Sequence, residues 1–242
     1  MLVVISAVSN GLARNSSVTP LLTRGLLHAG NWFAAIYLFA YAICFSLAYL
    51  NLTAGTGALI LFGSVQVTMV IVSLGRGERP RALEWIGSIV AAGGLVYLVF
   101  PALESPPLTS SLLMAVAGAA WGLYTLRGKG SADPLGDTTG NFMRTLLFAA
   151  IALIVFLPNL HLSGYGILLA CLSGAIASGV GYTVWYAALK HHSATRAAVL
   201  QLSVPVIAAV LGIILLTEAA TMRLGLAAAI ILGGIGLTLL RR

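Results

Sequence analysis

Eight apolar runs follow one another along this chain, at 31–50, 55–74, 84–101, 108–126, 141–158, 164–188, 195–216 and 222–240, and none has a carboxylate at its centre. A helix needs roughly 20 mainly apolar residues to cross the hydrocarbon core of a bilayer. No water reaches that core to satisfy peptide groups, so a spanning chain must be a helix bundle or a closed β-barrel. Barrel strands alternate apolar and polar residues over short segments, whereas these runs are continuous. The expected fold is therefore an all-α integral membrane protein. The composition agrees: 60% of residues are hydrophobic and only 8% charged, with a mean hydropathy of +1.02. A soluble domain carries about 25% charged residues.

A ninth apolar piece, MLVVISAVSNGLA at 1–13, is too short to span alone. It lacks the basic start and cleavage site of a signal peptide. It reads as the end of a crossing helix whose beginning is absent, giving nine helices with the first one short. Counted from it, the loops alternate between two sides. One side collects Arg14, Arg24, Arg76, Arg79, Arg81, Arg127, Lys129, Arg144, Lys190, Arg196, Arg241 and Arg242. The other has only Arg223, so all but one of the 13 Lys and Arg share a side. The positive-inside rule places that side in the cytoplasm. This predicts a multi-pass protein of the plasma (inner) membrane with a cytoplasmic C-terminus. The net charge of +7 is then explained by orientation and calls for no nucleic-acid partner. Cys44 and Cys171 lie within apolar runs and suggest neither a disulfide nor a metal site.

The run 199–218, VLQLSVPVIAAVLGIILLTE, aligns with 59–78, LILFGSVQVTMVIVSLGRGE, so that Glu78 meets Glu218 and Val70 meets Val210. Continued outward, Ala54 and Ala58 meet Ala194 and Ala198, and Gly93-Gly94 meets Gly233-Gly234. The identities are few and the order of features is the firmer signal. The second copy holds five helices. Because five is odd, consecutive copies enter the membrane from opposite sides, which predicts two inverted repeats, 1–102 (incomplete) and 108–242 (complete). Inverted repeats are common in secondary transporters, whose substrate site lies near the midplane.

At this point the chain resembles the drug/metabolite transporter superfamily, and within it the EamA-type members with two five-helix repeats. The matching residues are Trp121-Gly122, Arg144, Pro205 followed by Glu218, and GERPRALEWIGSIVAAGG at 77–94. The resemblance implies an alternating-access carrier, with no cofactor, that exports or sometimes imports small metabolites such as amino acids, nucleosides or drugs. Members have ten helices where nine are offered here. The proline of the fourth helix in the first repeat is replaced by Val65, so the two halves are expected to bend differently.

Polar groups in spanning helices must pair or line a wet cavity. Gln201 and Pro205 lie four apart on one helix face, and Pro205 frees a backbone carbonyl one turn earlier. A kink with exposed acceptors is expected there, with Gln201 and Ser203 as substrate-binding candidates and Pro205 as a hinge. Gln66 is the mid-membrane amide of the corresponding helix in the first repeat. Tyr41, Trp121, Tyr124 and Tyr182 complete the candidate substrate site, because aromatic faces stack on planar groups or attract cations. The competing readings are helix-to-helix hydrogen bonds for the amides and interfacial anchoring for the aromatics. Small residues at Gly118 and Gly122, Gly174 and Ser178, and Ala177 and Gly181 predict close helix packing.

The acids Glu78, Glu84, Glu104, Asp133, Asp137 and Glu218 fall in loops or at helix ends, and the four His fall in loops. A proton relay needs a titratable group within the membrane, so none is expected in this chain. Motifs of intramembrane enzymes such as G-x-S-x-G or H-E-x-x-H are missing, which weighs against catalysis. The main alternative is a truncated or vestigial carrier without transport activity; a membrane-embedded enzyme ranks below it. The expected partners are a small-molecule substrate and the lipid bilayer, with monomer and homodimer both open.

Overall fold

The computed structural model describes residues 29–100, 106–160, 162–189, 191–216 and 221–240. The short crossing expected at 1–13 lies outside the described residues, as do Glu104, Glu218 and the C-terminal arginines. Among the described residues, all regular structure is helical. The helices are α1 (Trp32–Ala48), α2 (Ala54–Gly75), α3 (Ala82–Val99), α4 (Leu108–Gly128) and α5 (Pro134–Phe156), followed by α6 (Gly164–Leu172), α7 (Gly181–Leu189), α8 (Ala194–Leu200), α9 (Ser203–Leu216) and α10 (Met222–Leu239). A π-helical stretch, Ser173–Val180, joins α6 to α7. Among the described residues, seven helical stretches are long and apolar enough to cross a membrane, and α1 adds a shorter apolar helix of 17 residues. All eight runs read from the sequence are thus helical.

Six helix starts have a local cause among the described residues. Side chains of Thr53, Asp133, Ser163, Ser193 and Thr221 accept hydrogen bonds from backbone N–H groups three residues on, capping α2, α5, α6, α8 and α10. At α3 the carboxylate of Glu84 reaches back to the N–H of Arg81 (3.0 Å). Such bonds satisfy donors that a helix N-terminus leaves open. One boundary differs from the sequence expectation. Helix α5 begins at Pro134, not near 141, because Asp133 caps it and proline is preorganised for the first helical position.

The chain folds into two compact units, interleaved in sequence. The first comprises residues up to 39 together with 127–191. Here α5 packs with α7, and Phe148 holds the rings of Trp32 and Phe39. Backbone groups at the entry to α1 are held by α5. Gly30 N–H donates to Asp137 (2.8 Å) and Asn31 N–H to Asn141 (2.8 Å). Arg144 donates to the Ala29 carbonyl and lies over the Trp32 ring, so this motif residue is a structural tie.

The second unit comprises 40–126 and 192 onward. Its tightest packing joins α3 to α10. A Cβ placed on Gly94 would lie 2.8 Å from the Ile231 side chain, and one on Gly234 would lie 2.6 Å from Ala91 N. One on Gly87 would meet the Gly234 carbonyl at 2.5 Å and the Thr238 backbone. As the contact advances along α3 it retreats along α10, so the pair is antiparallel. The contacts are also reciprocal under the sequence alignment, which matches residue 94 to 234 and 91 to 231. The helix starts obey the same alignment: Thr53 and Ser193 cap α2 and α8, and α3 and α10 are both 18 residues long. Arg223, the one basic residue assigned to the sparse side, donates to the Tyr97 carbonyl near the end of α3, where cations are favoured.

Large apolar side chains such as Val67, Ile71, Ile89, Leu146, Leu147 and Ile154 face outward and are exposed. In a membrane-spanning bundle this is a lipid-facing surface. Several internal hydroxyls bond their own helix instead, including Ser88 to Glu84 O (2.6 Å) and Thr238 to Gly234 O (2.9 Å). The small-residue expectation holds in part. Gly118 packs closely against α2, but open space surrounds the Cβ positions of Gly174 and Gly181. Gly174 lies in the π-helical stretch and Gly181 directly follows it, so the regular i,i+4 face the expectation assumed is lost there.

Candidate functional site

The site residues of the second unit gather where α4 crosses α2 and the α8–α9 break. A Cβ on Gly118 would lie 2.5 Å from the Leu61 carbonyl oxygen, and one on Gly122 would lie 3.3 Å from Thr68 Cβ. Small residues here let the two backbones approach. Trp121, between these glycines, then points its indole at Gln201. Its Nε1–H donates to Gln201 Oε1, and Gln201 Nε2 donates to Met69 Sδ at 3.4 Å. Thioether sulfur is a weak acceptor, so the carbonyl end of the amide is held more firmly than its amino end.

Gln201 sits at a true discontinuity. Helix α8 ends at Leu200 and α9 starts at Ser203. Pro205 has no N–H to offer the Gln201 carbonyl, and that carbonyl instead accepts from Val204 N–H (3.1 Å). Ser203 Oγ donates to Leu200 O (2.7 Å). The helix is interrupted where a kink is expected, but its carbonyls are satisfied locally and are not exposed acceptors. Helix α2, with Val65 at the aligned position, runs unbroken. The two aligned runs therefore differ here: one is continuous and the other interrupted.

Aromatic rings complete the cluster. Tyr41 lies 5.1 Å from Trp121 between centroids, and Tyr124 lies 5.9 Å from Trp121. Tyr41 also meets Phe45 at 5.5 Å. Gln66, one helical turn before Met69, has its Nε2 buried with no hydrogen-bond partner, and so has the Thr125 hydroxyl. A buried polar group left unmatched costs about 1–3 kcal/mol. The structure thus brings together Tyr41, Trp121, Tyr124 and Gln201, with Gln66 on the adjoining helix and Ser203 and Pro205 just after the break. Tyr182 belongs to the first unit, where it stacks edge-on against Phe142 at 5.2 Å and near Tyr186.

Sequence reasoning did not single out Met69 or Thr125. Thr125 lies four residues after Trp121, a spacing that places both on one helix face and could have identified it. Met69 sits in an apolar run and carries no such signal. The cluster offers aromatic faces, amides and hydroxyls. Among the described residues no group of three His, Cys, Asp or Glu side chains could hold a metal ion.

Comparison with known proteins agrees in kind. Residues 108–240 match the family model described as the EamA-like transporter family. An uncharacterized protein of Pseudomonas aeruginosa is 51% identical over 213 residues, covering 88% of this chain and 74% of the relative. An uncharacterized transporter of Archaeoglobus fulgidus is 25% identical over 210 residues, covering 84% of this chain and 74% of the relative. One solved crystal structure shares the fold with a TM-score of 0.77 at 19% identity, covering 98% of this chain and 84% of that chain.

Proposed function

The chain belongs to the EamA-like transporter family, and on that premise we propose that it is a secondary carrier exporting small metabolites such as amino acids or drugs. It works by alternating access between inverted repeats, 1–102 and 108–242. It sits in the plasma (inner) membrane with its C-terminus in the cytoplasm. The observation that carries this reading is the Gln201 amide, buried at a helix break and bonded to Trp121. A broken helix with a polar group in mid-membrane is how carriers of inverted-repeat design build a substrate site. The unmatched Gln66 donor and Thr125 hydroxyl supply further groups for a polar substrate, and the Tyr41, Trp121 and Tyr124 rings supply apolar or cation-attracting faces.

The reciprocal α3–α10 contacts support the repeat. The acids Glu84 and Asp137 lie in the first turns of α3 and α5, which supports transport by facilitation or exchange without a carboxylate relay in the membrane. Cysteine accessibility tests the reading. In a background with Cys44 and Cys171 replaced, Gln66→Cys should react with a membrane-impermeant thiol reagent from both sides of the membrane. Reaction from one side only, under every condition, would contradict alternating access through this cluster.

A further inference from the structure

A second site lies at the basic end of the second unit, where α2 ends, α3 begins and α8 begins. A cavity of about 280 Å³ is lined by Glu78, Arg79, Arg81, Glu84, Thr195 and Arg196, with Pro80 and Ser193. Three guanidinium groups face two carboxylates there. Both carboxylates are already engaged by donors. Glu84 accepts from Arg196 Nε (2.8 Å) and from Arg81 N–H, and Glu78 accepts from Ala194 N–H (3.2 Å). The cavity therefore carries one positive charge in excess of its carboxylates. Thr195 lines it, is 1% exposed, and its hydroxyl has no hydrogen-bond partner.

We propose that this cavity binds a phosphate-bearing anion, in the first place the headgroup phosphate of an anionic phospholipid. Arginine forks match phosphate oxygens in geometry as well as charge, and the Thr195 hydroxyl supplies the uncharged contact. The residues lie at helix ends, on the side to which the loop charges of the sequence assign nearly all the Lys and Arg, the level at which a lipid headgroup sits. Basic pockets between helices on that side suit anionic headgroups. The cluster around Trp121 is a different site, so this inference stands apart from the transport reading.

The test is native mass spectrometry of the detergent-purified full chain, titrated with phosphatidylglycerol, with phosphatidylcholine of the same acyl chains, and with inorganic phosphate as competitor. Phosphatidylglycerol should be retained over phosphatidylcholine. Arg79→Ala/Arg81→Ala, which alters two exposed side chains, should weaken retention about tenfold. Thr195→Val, which keeps shape and removes the hydroxyl, should weaken it about threefold. If millimolar phosphate leaves the lipid bound, the headgroup is the ligand. If phosphate displaces it and binds by itself, the same site serves a free phosphate or phosphomonoester. Equal retention of both lipids without phosphate binding, or variants that bind like the wild type, would overturn the proposal.

Discussion

The indole N–H of Trp121 in α4 donates to the side-chain carbonyl of Gln201, the residue that follows the end of α8. That bond fastens a helix broken in mid-run to the helix that packs glycine-first against α2. It ties the helix break to an aromatic surface, the combination that the proposed carrier needs if substrate contact is to be felt as helix movement.

Gln201→Leu is therefore expected to abolish transport while leaving the fold intact. Trp121→Phe keeps the ring packing but removes the donor. In membranes a side-chain hydrogen bond averages about 0.6 kcal/mol, so its melting temperature should fall only slightly. Transport rate and thermal denaturation in detergent, measured on both variants, separate the two roles.

The paired glycines give a sharper test of packing. Gly94→Ala and Gly234→Ala drive a methyl into Ile231 and into the Ala91 backbone, and each should cost about 1–3 kcal/mol. Gly93→Ala and Gly233→Ala meet nothing within 4 Å and should be neutral or mildly stabilising. Thermal stability of the four single variants decides it, and equal effects at Gly93 and Gly94, or at Gly233 and Gly234, would reject the α3–α10 contact.

Much of this was legible in the sequence. The eight runs are all helical because bilayer thickness and the need to satisfy peptide groups leave a long apolar run few alternatives. The aligned starts of α2 and α8 followed from weak identities such as Ala54 with Ala194. The start of α5 is hidden in the sequence because its first two turns, from Pro134 to Asn141, are polar and Gly-rich, while Asp133 and Pro134 set the helix. The Trp121–Gln201 partnership could not be read, since it joins residues 80 apart and depends on how closely Gly118 and Gly122 let α4 approach. Spacing alone does not show that the carbonyl freed by Pro205 is satisfied locally: Val204 N–H turns back on Gln201 O, and Ser203 Oγ on Leu200 O.

The ion pair between Arg196 and Glu84 (2.8 Å) joins α8 to α3, with side chains only 20% and 10% exposed. Arg196→Ala leaves a nearly buried carboxylate with fewer donors and should destabilise by about 1–3 kcal/mol. Glu84→Gln in the same background should recover part of the loss. A double-mutant cycle by thermal denaturation that showed no coupling would exclude a stabilising pair.

Proline at 205 sets flexibility more than stability. Pro205→Ala restores an N–H that can reach the Gln201 carbonyl, so α8 and α9 should join more continuously. The expected result is an equal or higher melting temperature with slower turnover. A variant that melts earlier and transports at the wild-type rate would show that the break has another cause.

The most direct measurement is uptake of an isotopically labelled cell-metabolite extract by proteoliposomes containing the wild-type chain or Gln201→Leu, read by mass spectrometry of the lumen. One or a few small metabolites should enter wild-type vesicles faster than empty ones, and the variant should lose that uptake. Uptake that is equal in wild type and variant, or no faster than in empty vesicles, would contradict a carrier whose substrate site is centred on Trp121 and Gln201.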